Sequence, residues 1–264
     1  MEYAKFNRLK IEQVGGVLTV ALSQPQRRNA MDETMHRELP ELWRQVAKDR
    51  SVRVVVVKGD PEGKAFCAGG DLKWVSEAAQ AGETYEEILR DGVDIIRGMT
   101  QLPQPVITMV NGSAIGVGAS LALFGDIVFA DQAAVIADPH VGIGVVAGDG
   151  GAIIWPLLVG PNRAKEFLMT GDPVTGADAE RMGLVNHAVP AEELAGHVYK
   201  MAERLAQGPR LAIELTKRSV NIQVNNLVSN ILHASLALEG LTFRTDDHRQ
   251  AVNAFLSRSK PAGK

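Results

Sequence analysis

The sequence predicts an α/β fold built on parallel strands, and three observations carry that prediction. Val52–Val57 is almost continuously apolar and β-branched, the mark of a strand covered on both faces. The pattern returns at Val106–Val110, after the breaker Pro103–Pro105, and again at Ile127–Ala130. Between these runs lie segments of helical periodicity, and repeated strand, loop and helix units imply parallel strands. Unequal spacing and too few strands argue against an eightfold barrel.

Taken in order, Arg8–Gln13 and Val17–Leu22 flank Gly15 and Gly16 and predict a hairpin whose turn needs positive φ angles. Asp32 can cap a helix running to about Asp49, with Met35, Leu39, Leu42, Trp43 and Val46 at helical spacing. Pro40 either kinks that helix or marks its start. Thr84 with Glu87 resembles a capping box opening a helix to Gln101, and Ala119–Phe124 is a short helix apolar all round. After about Asn186 the character changes: Glu192–Gln207, Arg210–Val220, Val224–Arg244 and Asp246–Ser257 all read as helices, with no convincing strand among them. The chain therefore divides into a core over residues 1–190 and a helical region over 191–264. The apolar stretch of Leu227, Ile231, Leu232, Leu236, Leu238 and Leu241 suggests contacts between subunits.

Composition excludes several classes. The 264 residues carry 28 basic and 31 acidic side chains, a net charge of −3, which argues against a nucleic-acid-coating surface. Cys67 stands alone, so neither a disulfide framework nor a cysteine-rich metal site is possible within the chain. The start, MEYAKFNRLK, has no apolar core, and there is no run of about 18 apolar residues. These features predict a cytoplasmic protein that contacts no membrane. No Walker A, HExxH or GxSxG pattern occurs. His36, His187, His197, His233 and His248 are scattered on expected helix surfaces or a strand, so no metal site is expected.

Of the 26 glycines, twelve fall in three windows, residues 59–70, 112–118 and 142–151, and this concentration marks where backbone must turn sharply or approach a ligand. The first window ends in Ala65–Leu72, where a glycine pair exposes main-chain N–H groups or forms a plain tight loop. Cys67 reads there as a small buried residue, since no base lies beside it in sequence. In the second, Val110–Ser120 runs from a strand through glycines into a buried helix start, which suits an oxyanion or simply lets helix and sheet pack closely. In the third, Gly142, Gly144 and Ala147 match a dinucleotide fingerprint, but Asp138, Pro139 and His140 before them do not read as a strand and the glycines continue past the motif. Asp149 stands at a helix entrance as a cap or a catalytic group. His140, nine residues before it, is a structural histidine or its acid/base partner.

Six segments in this order resemble the crotonase (enoyl-CoA hydratase/isomerase) superfamily: LSQPQRRNAM, AFCAGGDL, VNGSAIGVGASLALFGDI, GDGG, LMTGDPVTGADAERMGLVNHAV and AFLSRSKPAGK. The resemblance spans nearly the whole chain. It implies a ClpP-like spiral of βαβ units with a C-terminal helical trimerisation region, a homotrimer or dimer of trimers, and an acyl-CoA thioester as substrate. Coenzyme A would enter as part of that substrate, with no cofactor bound tightly. The family's thioester carbonyl sits between two backbone N–H groups, which the resemblance places on Ala68 and Val117. It also implies that Ala68, Gly69, Gly70, Asp71 and Leu72 line the adenine and pantetheine path. Arg27 and Arg28, with Ala30 beside them, would approach the CoA phosphates, and Lys260 would reach a neighbouring subunit's CoA.

The positions of the two hydratase glutamates match Ser120 and His140, so simple water addition is not implied. The pairing of His140 with Asp149 is similar to that in 6-oxocamphor hydrolase, a family member that cleaves a carbon–carbon bond between two ketones. The reading is an enzyme that stabilises an acyl-CoA enolate, lyase or hydratase-like, with Asp149 and His140 moving protons. The alternatives are a carbon–carbon hydrolase of a β-dicarbonyl, a catalytically idle relative, or an RNA-binding one, for which no lysine-rich segment is visible.

Overall fold

The sequence folds around a hairpin that feeds a parallel sheet. The structure, a computed structural model, describes Tyr3, residues 6–71, Trp74 and residues 83–258. Strands β1 (Leu9–Val14) and β2 (Val17–Leu22) pair antiparallel. Gly15 takes the positive φ of 56°; Gly16 does not, and is needed instead because a β-carbon there would lie 2.7 Å from Arg53 Cγ. Strands β3 (Val54–Gly59), β5 (Val106–Val110), β7 (Ile127–Asp131) and β10 (His187–Val189) extend the sheet in the order β1-β2-β3-β5-β7-β10, all parallel beyond the hairpin. β10 lies just past Asn186, where the sequence shows only helices.

The three apolar runs are buried on both sides, as their composition requires. Alternate residues Val55, Val57, Val106 and Val110 pack with helix α1 (Glu33–Lys48), while Val54, Val56, Ile107 and Met109 pack with Leu194, Val198 and Ala202 of helix α7 (Ala191–Gln207). Asp32 caps α1, its Oδ1 accepting from the Met35 N–H at 2.9 Å, and Pro40 lies inside the helix rather than at its start. Helix α2 (Glu83–Gln101) already contains Thr84, which is therefore not its cap.

A second sheet escapes the sequence reading. β4 (Ala65–Cys67), β6 (Ser113–Ile115) and β8 (Val135–Ala137) run parallel, and β9 (Val174–Thr175) closes the sheet antiparallel to β8. Strands of two or three residues show no periodicity against a glycine-rich background. The three parallel ones each come after a strand of the first sheet: β3 leads to β4, β5 to β6, β7 to β8. The chain thus spirals, crossing from sheet to sheet, and its helices α3 (Val117–Leu123), α4 (Gly151–Val159), α5 (Pro161–Thr170) and α6 (Gly176–Met182) follow these crossings.

The C-terminal helices are α8 (Arg210–Thr242) and α9 (Asp246–Arg258). α8 is one helix of 33 residues, not two. The polar stretch that breaks its apolar pattern is an anchor: Asn221 is buried and donates to the Thr100 carbonyl at 2.8 Å. Leu232 and Leu236 belong to the core, while Leu238 and Leu241 of the same stretch are 55% and 64% exposed. No helix among the described residues is long and apolar enough to cross a membrane.

One turn earlier on α8, Lys217 is buried and donates to the carbonyls of Met99 (3.2 Å) and Gln104 (3.0 Å) and to Asp126 Oδ2 (2.7 Å). Burial lowers the ammonium's pKa and raises the carboxyl's, against the pull of their mutual attraction. The pair joins α8 to the ends of α2 and of the loop before β7. Lys217→Met is expected to lower unfolding stability by about 3–5 kcal/mol, because it strands a buried carboxylate. Adding Asp126→Asn should recover part of that loss in denaturant titrations.

Candidate active site

The second glycine window builds one wall of a pocket. Gly116, at φ 54°, turns the chain from β6 into α3, so that Val117 becomes the first helical residue, two positions before the expected start. N–H groups of a first helical turn have no intrahelical acceptor, and Val117 lines the pocket. A β-carbon on Gly118 would lie 2.5 Å from the Cys67 carbonyl oxygen. Close packing and an exposed N–H are therefore two results of the same turn. Burial pushes the Cys67 thiol up to about 11, which leaves it an inert core residue.

The first window corrects one expectation. The Ala68 N–H donates to the Arg28 carbonyl at 3.1 Å, so it is already engaged. Gly70 forms a parallel bridge to Met31 in which the Gly69 carbonyl and the Asp71 N–H make the two bonds, at 2.8 and 2.9 Å. The Gly70 N–H consequently faces the other way. Among the described residues it has no acceptor, and Gly70, not Ala68, lines the pocket beside Val117.

The expected CoA-path residues cluster beside this window. Arg27 pairs with Asp71, and Arg28, in the left-handed region at φ 54°, reaches Ser113 Oγ at 3.4 Å. Ala30 is buried. Asn29, which sequence reasoning missed, fixes this turn: fully buried at φ 56°, it donates to the carbonyls of Asp60 (2.9 Å) and Ala65 (2.8 Å). Leu72 and Lys260 lie outside the described residues.

The third window brings His140 and Asp149 together. His140 opens a short 3-10 turn after β8, and its Nδ1 pairs with Asp138 Oδ1. Its Nε2 lies 3.4 Å from Asp149 Oδ2, while Asp149 Oδ1 accepts from Ser120 Oγ at 3.0 Å. Asp149 stands two residues before Gly151, the first residue of α4, whose N–H favours its ionised form, so one carboxylate meets both the helix entrance and the histidine. One ligating atom each of Asp138, His140 and Asp149 lies within 4.8 Å of the others. The ring stands between the carboxylates, however, one on each nitrogen, which makes the group a hydrogen-bonded chain.

Burial alone would push the His140 imidazole down, but the carboxylates of Asp149 and Asp138 raise it well above its ordinary value. Burial would likewise raise Asp149, yet the charge and hydrogen bond of His140, with Ser120 and the Gly151 N–H, hold it below the carboxylate range. The result is an imidazolium between two carboxylates. Asp138 was not anticipated as a partner, although it lies only two residues from His140.

The pocket encloses about 120 Å³ and is walled mainly by Ile95, Ile96, Ile143, Leu232, Leu236 and Phe243. Two further polar side chains reach it. His36, expected on a helix surface, is buried on α1 with its ring 5.3 Å from that of Trp74. Burial drives its pKa down to about 4, so it is neutral. The sequence signal exists: position 36 falls on the apolar stripe with Leu39 and Trp43. The other is Glu239 of α8.

Family comparison decides the assignment. The description enoyl-CoA hydratase/isomerase matches residues 12–264. The chain belongs to the enoyl-CoA hydratase/isomerase family. Among relatives, the 1,2-epoxyphenylacetyl-CoA isomerase of Escherichia coli K12 is 32% identical over 248 residues, covering 93% of this chain and 94% of that protein. The crotonyl-CoA hydratase of Syntrophomonas wolfei is 30% identical and covers 97% of each. A crystal structure of an enoyl-CoA hydratase/isomerase from Mycobacterium paratuberculosis superposes with a TM-score of 0.90 at 33% identity, over 96% of this chain and all of that one. The six-segment resemblance and the mixed α/β spiral are therefore those of the enoyl-CoA hydratase/isomerase family.

The two histidines at this family member's pocket have opposite electrostatics, which gives a direct check. Ring nitrogen shifts by NMR should show His140 still doubly protonated above its ordinary 6.5 and His36 neutral down to about pH 4. Asp149→Asn should lower the His140 value. By linkage, the raised His140 contributes stability that is full below its ordinary 6.5 and lost as pH rises through its folded value. Asp149 contributes above its ordinary 3.8 and loses that as pH falls through its folded value.

Proposed function

We propose that this protein is an enzyme acting on an acyl-CoA thioester through an oxyanion-stabilised enolate, in a lyase or hydratase-like reaction. The observation that carries the reading is convergence: the Asp149–His140 pair shares one pocket with two backbone donors, Gly70 and Val117. The thioester oxygen would lie between those N–H groups, where developing negative charge meets fixed dipoles in an apolar surround. Asp149, ionised and facing the pocket, is the base that takes a substrate proton or activates water. His140, anchored by Asp138, supplies the compensating proton. Ser120 orients the Asp149 carboxylate. The relatives' names support a CoA ester as substrate, since those proteins are an isomerase and a hydratase of CoA compounds.

In this reading Arg27 and Arg28 lie at the CoA-phosphate end and Asp71 holds Arg27 in place. The exposed apolar side of α8 would make the subunit contacts of a trimer. Ser120 and His140, at the positions of the hydratase glutamates, carry no carboxylate. That substitution, together with the His140–Asp149 pair, favours a second reading: hydrolysis of a carbon–carbon bond in a β-dicarbonyl without CoA.

Calorimetry with a panel of enoyl-, hydroxyacyl- and β-ketoacyl-CoA esters separates the two. Binding to at least one ester is expected, and absence of binding to all would favour the hydrolase. Asp149→Asn should abolish turnover while leaving ligand affinity nearly intact; full activity in that variant would reduce Asp149 to a helix-entrance role. Val117→Pro removes a single N–H at the first helical position, where proline is tolerated. It should lower kcat by about 10²–10³-fold with the fold retained by circular dichroism.

A further inference from the structure

Glu239 is, with His36, one of two ionisable groups lining the pocket that the mechanism above does not use. Its residue is only 8% exposed, it lines the pocket with Asp149 and His140, and its buried Oε2 has no hydrogen-bond partner among the described residues. The surrounding chain holds it there. A β-carbon on Gly148 would lie 2.5 Å from Oε2 and 2.7 Å from Glu239 Cβ, so the glycine before Asp149 makes room for this side chain. Thr242 Oγ1 donates to the Glu239 carbonyl at 2.6 Å and accepts the Val146 N–H at 3.2 Å, fastening this turn of α8 to the same loop.

Burial first, then the negative charges of Asp149 and Asp138, raise the Glu239 carboxyl to about 8, against the opposing pull of His140. The remaining ionisable groups nearby are neutral His36 across the pocket and His248 of α9, whose Nδ1 is turned onto the Ile143 carbonyl at 2.7 Å. A neutral carboxyl group has one O–H to donate. Buried without an acceptor, it costs free energy that a ligand oxygen would recover. A plain hydrocarbon chain in this pocket offers none.

We propose that Glu239 is a specificity-determining residue that donates a hydrogen bond from the pocket wall to a second oxygen on the acyl group, so that the substrate class is a ketone- or hydroxyl-bearing acyl thioester. This rests on the acyl-thioester reading of the site. The oxygen it selects lies beyond the thioester carbonyl, which Gly70 and Val117 occupy.

The test is calorimetric binding of hexanoyl-, 3-oxohexanoyl- and 5-oxohexanoyl-CoA to the full chain and to Glu239→Gln and Glu239→Leu. At pH 7 one oxo ester should bind the wild type about tenfold or more tightly than hexanoyl-CoA, the size expected when a buried donor gains its acceptor. That preference should decline above pH 8, as the carboxyl ionises. Glu239→Gln, which keeps a donor, should retain most of the preference and lose its pH dependence. Glu239→Leu should lose the preference and bind hexanoyl-CoA at least as well. Hexanoyl-CoA binding with no oxo preference in the wild type, or a preference surviving in Glu239→Leu, overturns the proposal alone. Failure of all three esters to bind overturns the acyl-thioester reading and the proposal with it. Thermal unfolding gives a readout free of ligand. The native state holds an extra proton between the ordinary 4.5 and about 8, so stability should fall with rising pH across that window, and less steeply in both variants.

Discussion

Charge buried without water must be compensated by the protein itself, and the pocket is organised by that constraint. His140 is held between Asp138 and Asp149, and Asp149 takes a further hydrogen bond from Ser120 beside the favourable Gly151 N–H. With two carboxylates and one imidazolium already in place, a further negative charge is disfavoured. Glu239 accordingly stays neutral, and His36, across the pocket, stays neutral because burial penalises its cation. Four side chains in one cavity thus acquire different protonation states from position alone.

The spiral delivers these groups. Three times, on leaving β3, β5 and β7 of the first sheet, the chain adds a short strand to the second, and the pocket lies where those short strands end. After β4 it meets Gly70, after β6 Val117, and after β8 His140. The two backbone donors and the histidine are therefore products of one repeated crossing. Glu239 comes from elsewhere: α8 returns across the site and closes the wall that the glycine loops leave open.

Much of this was legible in the residues. The hairpin, α1 with its Asp32 cap, the three doubly buried strands and the three glycine windows all follow from local pattern and turn chemistry. So does the pairing of His140 with Asp149, since both sit in one loop. The second sheet was not legible, because two or three residues carry no period. α8 read as two helices because Asn221 looks like a break until Thr100 is seen to accept its hydrogen bond. Ala68 was expected as a donor on the strength of its motif; the Arg28 carbonyl, contributed by a separate turn, takes that N–H instead.

The sequence by itself determined the fold family, the places where backbone is exposed and the residue types available for proton transfer. These depend on short-range causes: periodicity, capping and the conformational freedom of glycine. Only the tertiary structure decided which N–H groups remain unpaired, that Asp138 completes the histidine chain, and that His36 and Glu239 share the cavity. Those outcomes depend on burial and on the field of neighbours distant along the chain, and neither exists until the spiral has closed.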